Sequence, residues 1–218
     1  MNFITKIYDW IINLIFPIKC LGCGLSDTML CEQCLSTVRR STPISDPNII
    51  AVSSYKDRLI KKALWLLKFH NRQIVAKSFG KQMYDELITE LSDRTTFEHF
   101  INPLIIPAPI SRKRLHDRGY NQALLLAIEI AKHSGGSFVV ESNALKKIQE
   151  TDRQAMIKER TKRLNNLRGS FRADQHKVRG RNIIFVDDIV TSGATITEAR
   201  RALKKAGARK ILAVTVAH

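Results

Sequence analysis

The stretch from Asn182 to Thr195, N-I-I-F-V-D-D-I-V-T-S-G-A-T, constrains the fold of this chain more than any other segment. Ile183 to Val186 form a continuous apolar run, the pattern of a parallel strand buried on both faces. The run ends on two carboxylates, Asp187 and Asp188. A small, hydroxyl-rich loop, Thr191-Ser192-Gly193-Ala194-Thr195, then leads into a helical pattern over Thr195 to Ala206. Gly207 can end that helix in a left-handed cap, and Lys210 to Val216 supplies a second apolar strand. Strand, loop, helix and strand make a βαβ unit, which implies a parallel sheet and sets the loop at a helix N-terminus. Free backbone N–H groups and the positive end of the helix dipole favour a phosphate there. Gly193 lets the backbone approach closely, and the hydroxyls of Thr191, Ser192 and Thr195 can donate to phosphate oxygens. Asp187 and Asp188 can accept from vicinal ribose hydroxyls. Neither the nucleotide triphosphatase loop G-x-x-x-x-G-K-[ST] nor the dinucleotide fingerprint G-x-G-x-x-G is present.

All four cysteines lie within one short stretch, as Cys20-Leu-Gly-Cys23 and Cys31-Glu-Gln-Cys34. Paired C-x-x-C knuckles suit a tetrahedral Zn²⁺ with four thiolate ligands, and Gly22 and Gly24 support the tight turns. No cleavable secretory signal with a small-residue cleavage site precedes them, so a reducing cytoplasm and zinc are expected rather than disulfides. Four thiolates close the coordination shell, so the ion should be structural. Residues 1–40 are therefore read as an N-terminal helix with a zinc module, and residues 48–218 as the main domain, with the proline-marked Ser41 to Pro47 between them. Phe3 to Ile18 is apolar, but Lys6, Asp9 and Asn13 interrupt it and Pro17 ends it before the length of a membrane span. A packing helix is expected there, and peripheral contact with the inner face of a membrane is compatible with the basic chain.

Elsewhere, strands are expected at Asn48 to Ser54, Leu104 to Ile110 and Phe138 to Val140. Helices are expected at Asp57 to Phe69, Gln73 to Leu91 and Asn121 to His133. The alternation predicts an α/β layered fold, a parallel sheet with helices on both faces. The chain carries 36 basic against 20 acidic residues, a formal net charge of +16. Between Lys146 and Arg181 there are 12 Lys or Arg against 4 Asp or Glu. One small ligand needs only a few cations, so the surplus is compatible with a nucleic-acid backbone. Phe171 is the only aromatic in that segment, so base stacking is not signalled there.

A second phosphate-facing loop is read over Ile106 to Gln122, where an apolar strand runs into prolines and then Ser111, Arg112, Lys113, Arg114 and Arg118. These cations sit at a strand's carboxyl end, so this loop and the Asp187 loop can face one ligand from two sides.

The acidic pair followed by T-S-G-A-T resembles the phosphoribosyl pyrophosphate loop of type I phosphoribosyltransferases. Pro107, Pro109, Arg114, Arg118, Gly119, Tyr120, Asn121, Gln122 and Ala123 resemble the P-x-P and R-x-x-x-R-G-[FY]-N-Q-A signature of the ComF family of competence and related proteins. The resemblance extends to Phe16-Pro-Ile-Lys-Cys20 and to Lys68-Phe-His-Asn71, where asparagine stands for the glycine of K-F-x-G. It also covers Thr151, Gln154, Arg163, Asn166, Leu167, Gly169 and Phe171. It implies a type I phosphoribosyltransferase-like sheet that holds phosphoribosyl pyrophosphate with Mg²⁺. Asp187, Asp188 and Thr191 to Thr195 would hold the phosphoribosyl group, and Ser111, Arg112 and Arg114 the pyrophosphate. Lys158, Arg160 and Arg163 would lie on a closing flap. It further implies a cytoplasmic competence factor that handles incoming single-stranded DNA beside competence-machinery proteins such as a DNA channel or helicase. The alternative is an active phosphoribosyltransferase with an unidentified, nucleobase-like acceptor. Purine-specific relatives keep an acidic general base where this chain has Thr191, which weakens a purine-salvage reading.

Overall fold

A computed structural model describes residues 18–70, 73–149 and 167–218. Along the chain come α1 (Glu32–Ser36), β1 (Ile49–Ser53), α2 (Arg58–Phe69), α3 (Val75–Glu98), β2 (Leu104–Pro107), α4 (Arg112–Arg118) and α5 (Gln122–His133). They are followed by β3 (Val139–Val140), β4 (Leu145–Lys147), β5 (Phe171–Ala173), α6 (Gln175–Val178), β6 (Ile183–Ile189), α7 (Ala194–Lys205) and β7 (Ile211–Ala217). Five strands pair in the order β1-β7-β6-β2-β3, and every pairing among them is parallel. β6 and β7 run in register from Ile183 opposite Ile211 to Ile189 opposite Ala217.

The central strands are buried on both faces and divide their side chains by the period of two. Ile105, Ile184, Val186, Leu212 and Val214 enter one core with residues of α2, α3 and α5. Leu104, Ile106, Ile183, Phe185, Ile211 and Ala213 enter the other with residues of α7 and the β4–β5 pair. Helices thus cover both faces, as the alternation of elements predicts. α3 and α5 approach closely at Gly80, where an added Cβ would stand 2.4 Å from the Cβ of Glu129.

Two local readings need correction, and one pair of strands carries no local sequence signal. The Ile106 to Gln122 segment is not all loop. Ser111 caps a two-turn helix, α4, its Oγ accepting from the Arg114 N–H at 3.3 Å, and Gly119 ends it with φ +77°. α3 continues two turns past Leu91, because Arg94 is buried in a net of contacts that holds the polar end helical. It pairs with Glu90 at 2.6 Å and Glu98 at 3.6 Å, and donates to Asn48 Oδ1 and the Pro47 carbonyl. The basic segment after Lys146 hides an antiparallel pair, β4 with β5, whose partners lie too far apart in sequence for a local turn to announce them. Asp57 and Asn121 cap α2 and α5 as their positions predict.

The four-cysteine stretch does not stand apart. Met29, Leu30, Leu35 and Val38 share the core of α2 and α3. The chain after it pairs with β1, through Ser41 N–H to the Val52 carbonyl and Ser54 N–H to the Arg39 carbonyl. The apolar segment 3–17 lies outside the described residues, and no helix among those described is long and apolar enough to cross a membrane.

Candidate functional site

The crossover leaving β2 runs through α5 on one face of the sheet to β3, while the crossover leaving β6 runs through α7 on the other face to β7. The two connections diverge between adjacent strands, and such a switch point opens a crevice at the strands' carboxyl ends. A cleft of about 340 Å³ lies there. Ala108 and Pro109 after β2, Asp187, Asp188 and Ile189 of β6, Thr191 and Thr195 form part of its wall. Arg114 and Arg118 of α4, Lys68 of α2, Tyr55, and Lys147 and Phe171 of the β4–β5 pair complete the surround.

Asp187 and Asp188 are both buried. Burial first, and the adjacent Asp188 charge second, push the Asp187 carboxyl up to about 8, while the Asp188 N–H and Lys68 pull the other way. The Asp188 N–H donates to Asp187 Oδ1 at 2.8 Å, and Asp188 pairs with Lys68 Nζ at 2.8 Å. Sequence reasoning assigned Lys68 no role, because nothing local links it to a loop some 120 residues away. Gly193, left-handed at φ +75°, is the N-cap of α7, and no side chain caps the helix's first turn. Its amide donors thus remain open to an anion at the cleft floor. Ala194 is buried and Ser192 half-buried, so these two offer backbone N–H groups and one hydroxyl rather than cleft wall. Facing them, Arg114 and Arg118 line the cleft, whereas Ser111 and Arg112 stand at the start of α4. Lys158, Arg160 and Arg163 lie outside the described residues. The base of their segment is anchored, since buried Glu198 of α7 accepts from the Phe171 N–H at 3.1 Å and pairs with Arg201.

The four cysteine Sγ atoms all lie within 4.8 Å of one another, and none forms a disulfide. Cys31 Sγ stands 3.7 Å from Cys20 Sγ and 3.6 Å from Cys23 Sγ. Thiolates bound at ~2.3 Å to a tetrahedral ion stand about 3.8 Å apart, so the cluster has the spacing of a four-sulfur site. The Cys31 N–H points at Cys20 Sγ and the Cys34 N–H at Cys31 Sγ, both at 3.4 Å. Burial raises the Cys20 thiol, but the Cys23, Cys31 and Gly22 N–H groups outweigh it and bring the thiol down to about 6. The cluster can hold a metal ion.

A family model described as phosphoribosyl transferase domain matches residues 123–218. "DNA utilization protein YhgH" of Escherichia coli O157:H7 is 28% identical over 195 residues, covering 88% of this chain and 80% of its own length. "Competence protein F" of Haemophilus influenzae is 26% identical over 198 residues, covering 90% of this chain and 82% of its own. "Competence protein ComFC" of Bacillus subtilis is 29% identical over 157 residues, 72% of this chain and 58% of its own. The chain thus resembles the ComF family of competence and related proteins. The ComF signature from Arg118 to Gln122 here acts as a bracket for the cleft. Gly119 turns the chain and Asn121 both caps α5 and donates to the Ala108 carbonyl at 3.0 Å. The Tyr120 hydroxyl donates to the Leu67 carbonyl, tying α2 beside α4 so that Lys68 reaches Asp188. Gln122 Oε1 accepts from Arg118 Nη1 at 2.9 Å, which aims the guanidinium at the cleft.

Proposed function

We propose that this ComF-like chain is a competence protein of natural transformation, acting in the cytoplasm on incoming single-stranded DNA, and that its cleft binds phosphoribosyl pyrophosphate. One observation carries the ligand: a buried acidic pair and an uncapped helix N-terminus face Arg114 and Arg118 across a single cleft. Carboxylates suit the ribose hydroxyls, the first turn of α7 suits the 5′-phosphate, and the guanidinium groups suit the pyrophosphate. Mg²⁺ would enter on the pyrophosphate and offset its charge. Ser111 and Arg112 extend the basic wall. The four cysteines hold a structural zinc. The DNA reading is supported by relatives named for competence and DNA utilization and by the +16 net charge. Thr191, where purine-specific transferases keep an acid, favours binding without transfer.

Calorimetric titration of the zinc-loaded protein with phosphoribosyl pyrophosphate and Mg²⁺ tests the ligand. Asp187→Ala should lower the affinity at least tenfold, and an unchanged affinity would sink the assignment. Pyrophosphate release with any member of a nucleobase panel would replace the binding role with a transferase.

A further inference from the structure

Helix α2 sends Lys68 into the cleft and turns a different face outward. Trp65 and Phe69 are 51% and 61% exposed, far above the usual burial of large aromatics. They lie one helical turn apart, and Arg58, Lys61 and Lys62 precede them on the same exposed stripe at helical spacing. Tyr55, 38% exposed, continues the stripe beyond the helix start, with Lys61 Nζ 5.6 Å from its ring centre. At the other end Arg118 lies 5.2 Å from the Phe69 ring, and the His70 ring stands 3.9 Å from that of Trp65. α2 holds four cations and no acidic residue. Tyr55 and Arg118 also line the cleft, so the stripe and the cleft share a rim.

Exposed rings and cations sharing one stripe match two features of a single strand, exposed base faces and a regularly spaced phosphate backbone. A duplex hides its base faces. A membrane-binding helix presents a continuous apolar face with cations at its border, whereas here three cations sit within the stripe, between Tyr55 and Trp65. We infer that the outer face of α2 is a stacking platform for single-stranded nucleic acid. Bases lie on Trp65 and Phe69, and phosphates track Arg58, Lys61 and Lys62 toward the cleft. This deepens the DNA reading above by giving it a surface, one that lies outside the basic segment from Lys146 to Arg181.

The test uses fluorescence anisotropy of a labelled oligothymidine on the zinc-loaded full chain. Trp65→Ala and Phe69→Ala should each weaken single-strand binding by about 5- to 150-fold, the range seen for loss of one stacked base. Trp65→Phe should restore most of it. Lys61→Ala and Lys62→Ala should each lower the salt slope by about 0.7. Trp65 is exposed and lines no part of the cleft, so Trp65→Ala should keep the melting temperature and phosphoribosyl pyrophosphate affinity at parental values. Parental DNA binding with variants within twofold would overturn the platform and leave DNA handling standing. Failure of the parent to bind any single strand would overturn both. Loss of binding to anionic vesicles, with DNA affinity intact, would reassign the face to a membrane.

Discussion

Replacing Asp187 by asparagine should make the protein more stable and its cleft weaker. The carboxyl titrates at about 8 in the folded chain against an ordinary 3.8, chiefly because it is buried and secondly because Asp188 lies beside it. A folded-state pKa raised in this way means that the native state holds a proton the unfolded chain has released. The stability tied to that proton is full below pH 3.8 and is lost progressively as pH rises toward about 8. Within that window each pH unit removes about 1.4 kcal/mol, and a chain of this size converts that to about 3–5 °C in Tm. Asparagine keeps the acceptor that receives the Asp188 N–H at 2.8 Å, and it cannot ionise. The gap in Tm between Asp187→Asn and the parent should therefore widen by about 3–5 °C for each unit from pH 5.5 to 7.5. Titrating groups that do not interact with Asp187 are common to both proteins and cancel in the difference. Circular dichroism melts in matched buffers measure it. A gap that stays flat or reverses with pH would refute the burial argument, whatever the ligand proves to be. The same carboxyl should oppose these trends in binding: ribose hydroxyls prefer the ionised form, so the parent's affinity should climb through this range with release of a proton.

Two further substitutions probe the scaffold. Cys20→Ser removes one corner of the sulfur cluster and should lower bound zinc below one ion per chain; atomic absorption showing full occupancy would contradict a four-ligand site. Gly80→Ala should destabilise by about 1–3 kcal/mol, since a methyl 2.4 Å from Glu129 Cβ forces α3 and α5 apart and outweighs the roughly 1 kcal/mol of helix propensity it gains. A melting temperature at or above the parent's would show that the two helices can shift at little cost.

The parts legible from the sequence are those whose signal is local. Ile183 to Val186 is apolar because both sheet faces are covered, and Asp57 and Asn121 sit where a helix needs a side-chain acceptor. Arg114 and Asp187 could be set across one cleft because strand order puts both at carboxyl ends. What escaped notice depends on partners distant in the chain. The polar end of α3 is helical only because Arg94 finds Pro47 and Asn48, and Lys68 matters only because Tyr120 draws α2 to Asp188. The aromatic stripe carries no sequence signal for a related reason. Its rings are spread from Tyr55 to Phe69 among residues that read as an ordinary amphipathic helix, and only their exposure separates them from core.

That helix is also where the two proposed binding roles would meet. Lys68 neutralises Asp188 from inside the cleft, and the next residue, Phe69, backs Arg118, which lines the opposite wall. A ligand whose hydroxyls and phosphates engage Asp188 and Arg118 must therefore alter the partners of both Lys68 and Phe69, the last residues of α2. Nucleic acid on the outer face of α2 meets the same Phe69 ring. Two ligands that differ in their contacts with one short segment have a coupling free energy, and thermodynamic linkage makes it reciprocal. Whatever factor phosphoribosyl pyrophosphate imposes on single-strand affinity, the single strand must impose on phosphoribosyl pyrophosphate.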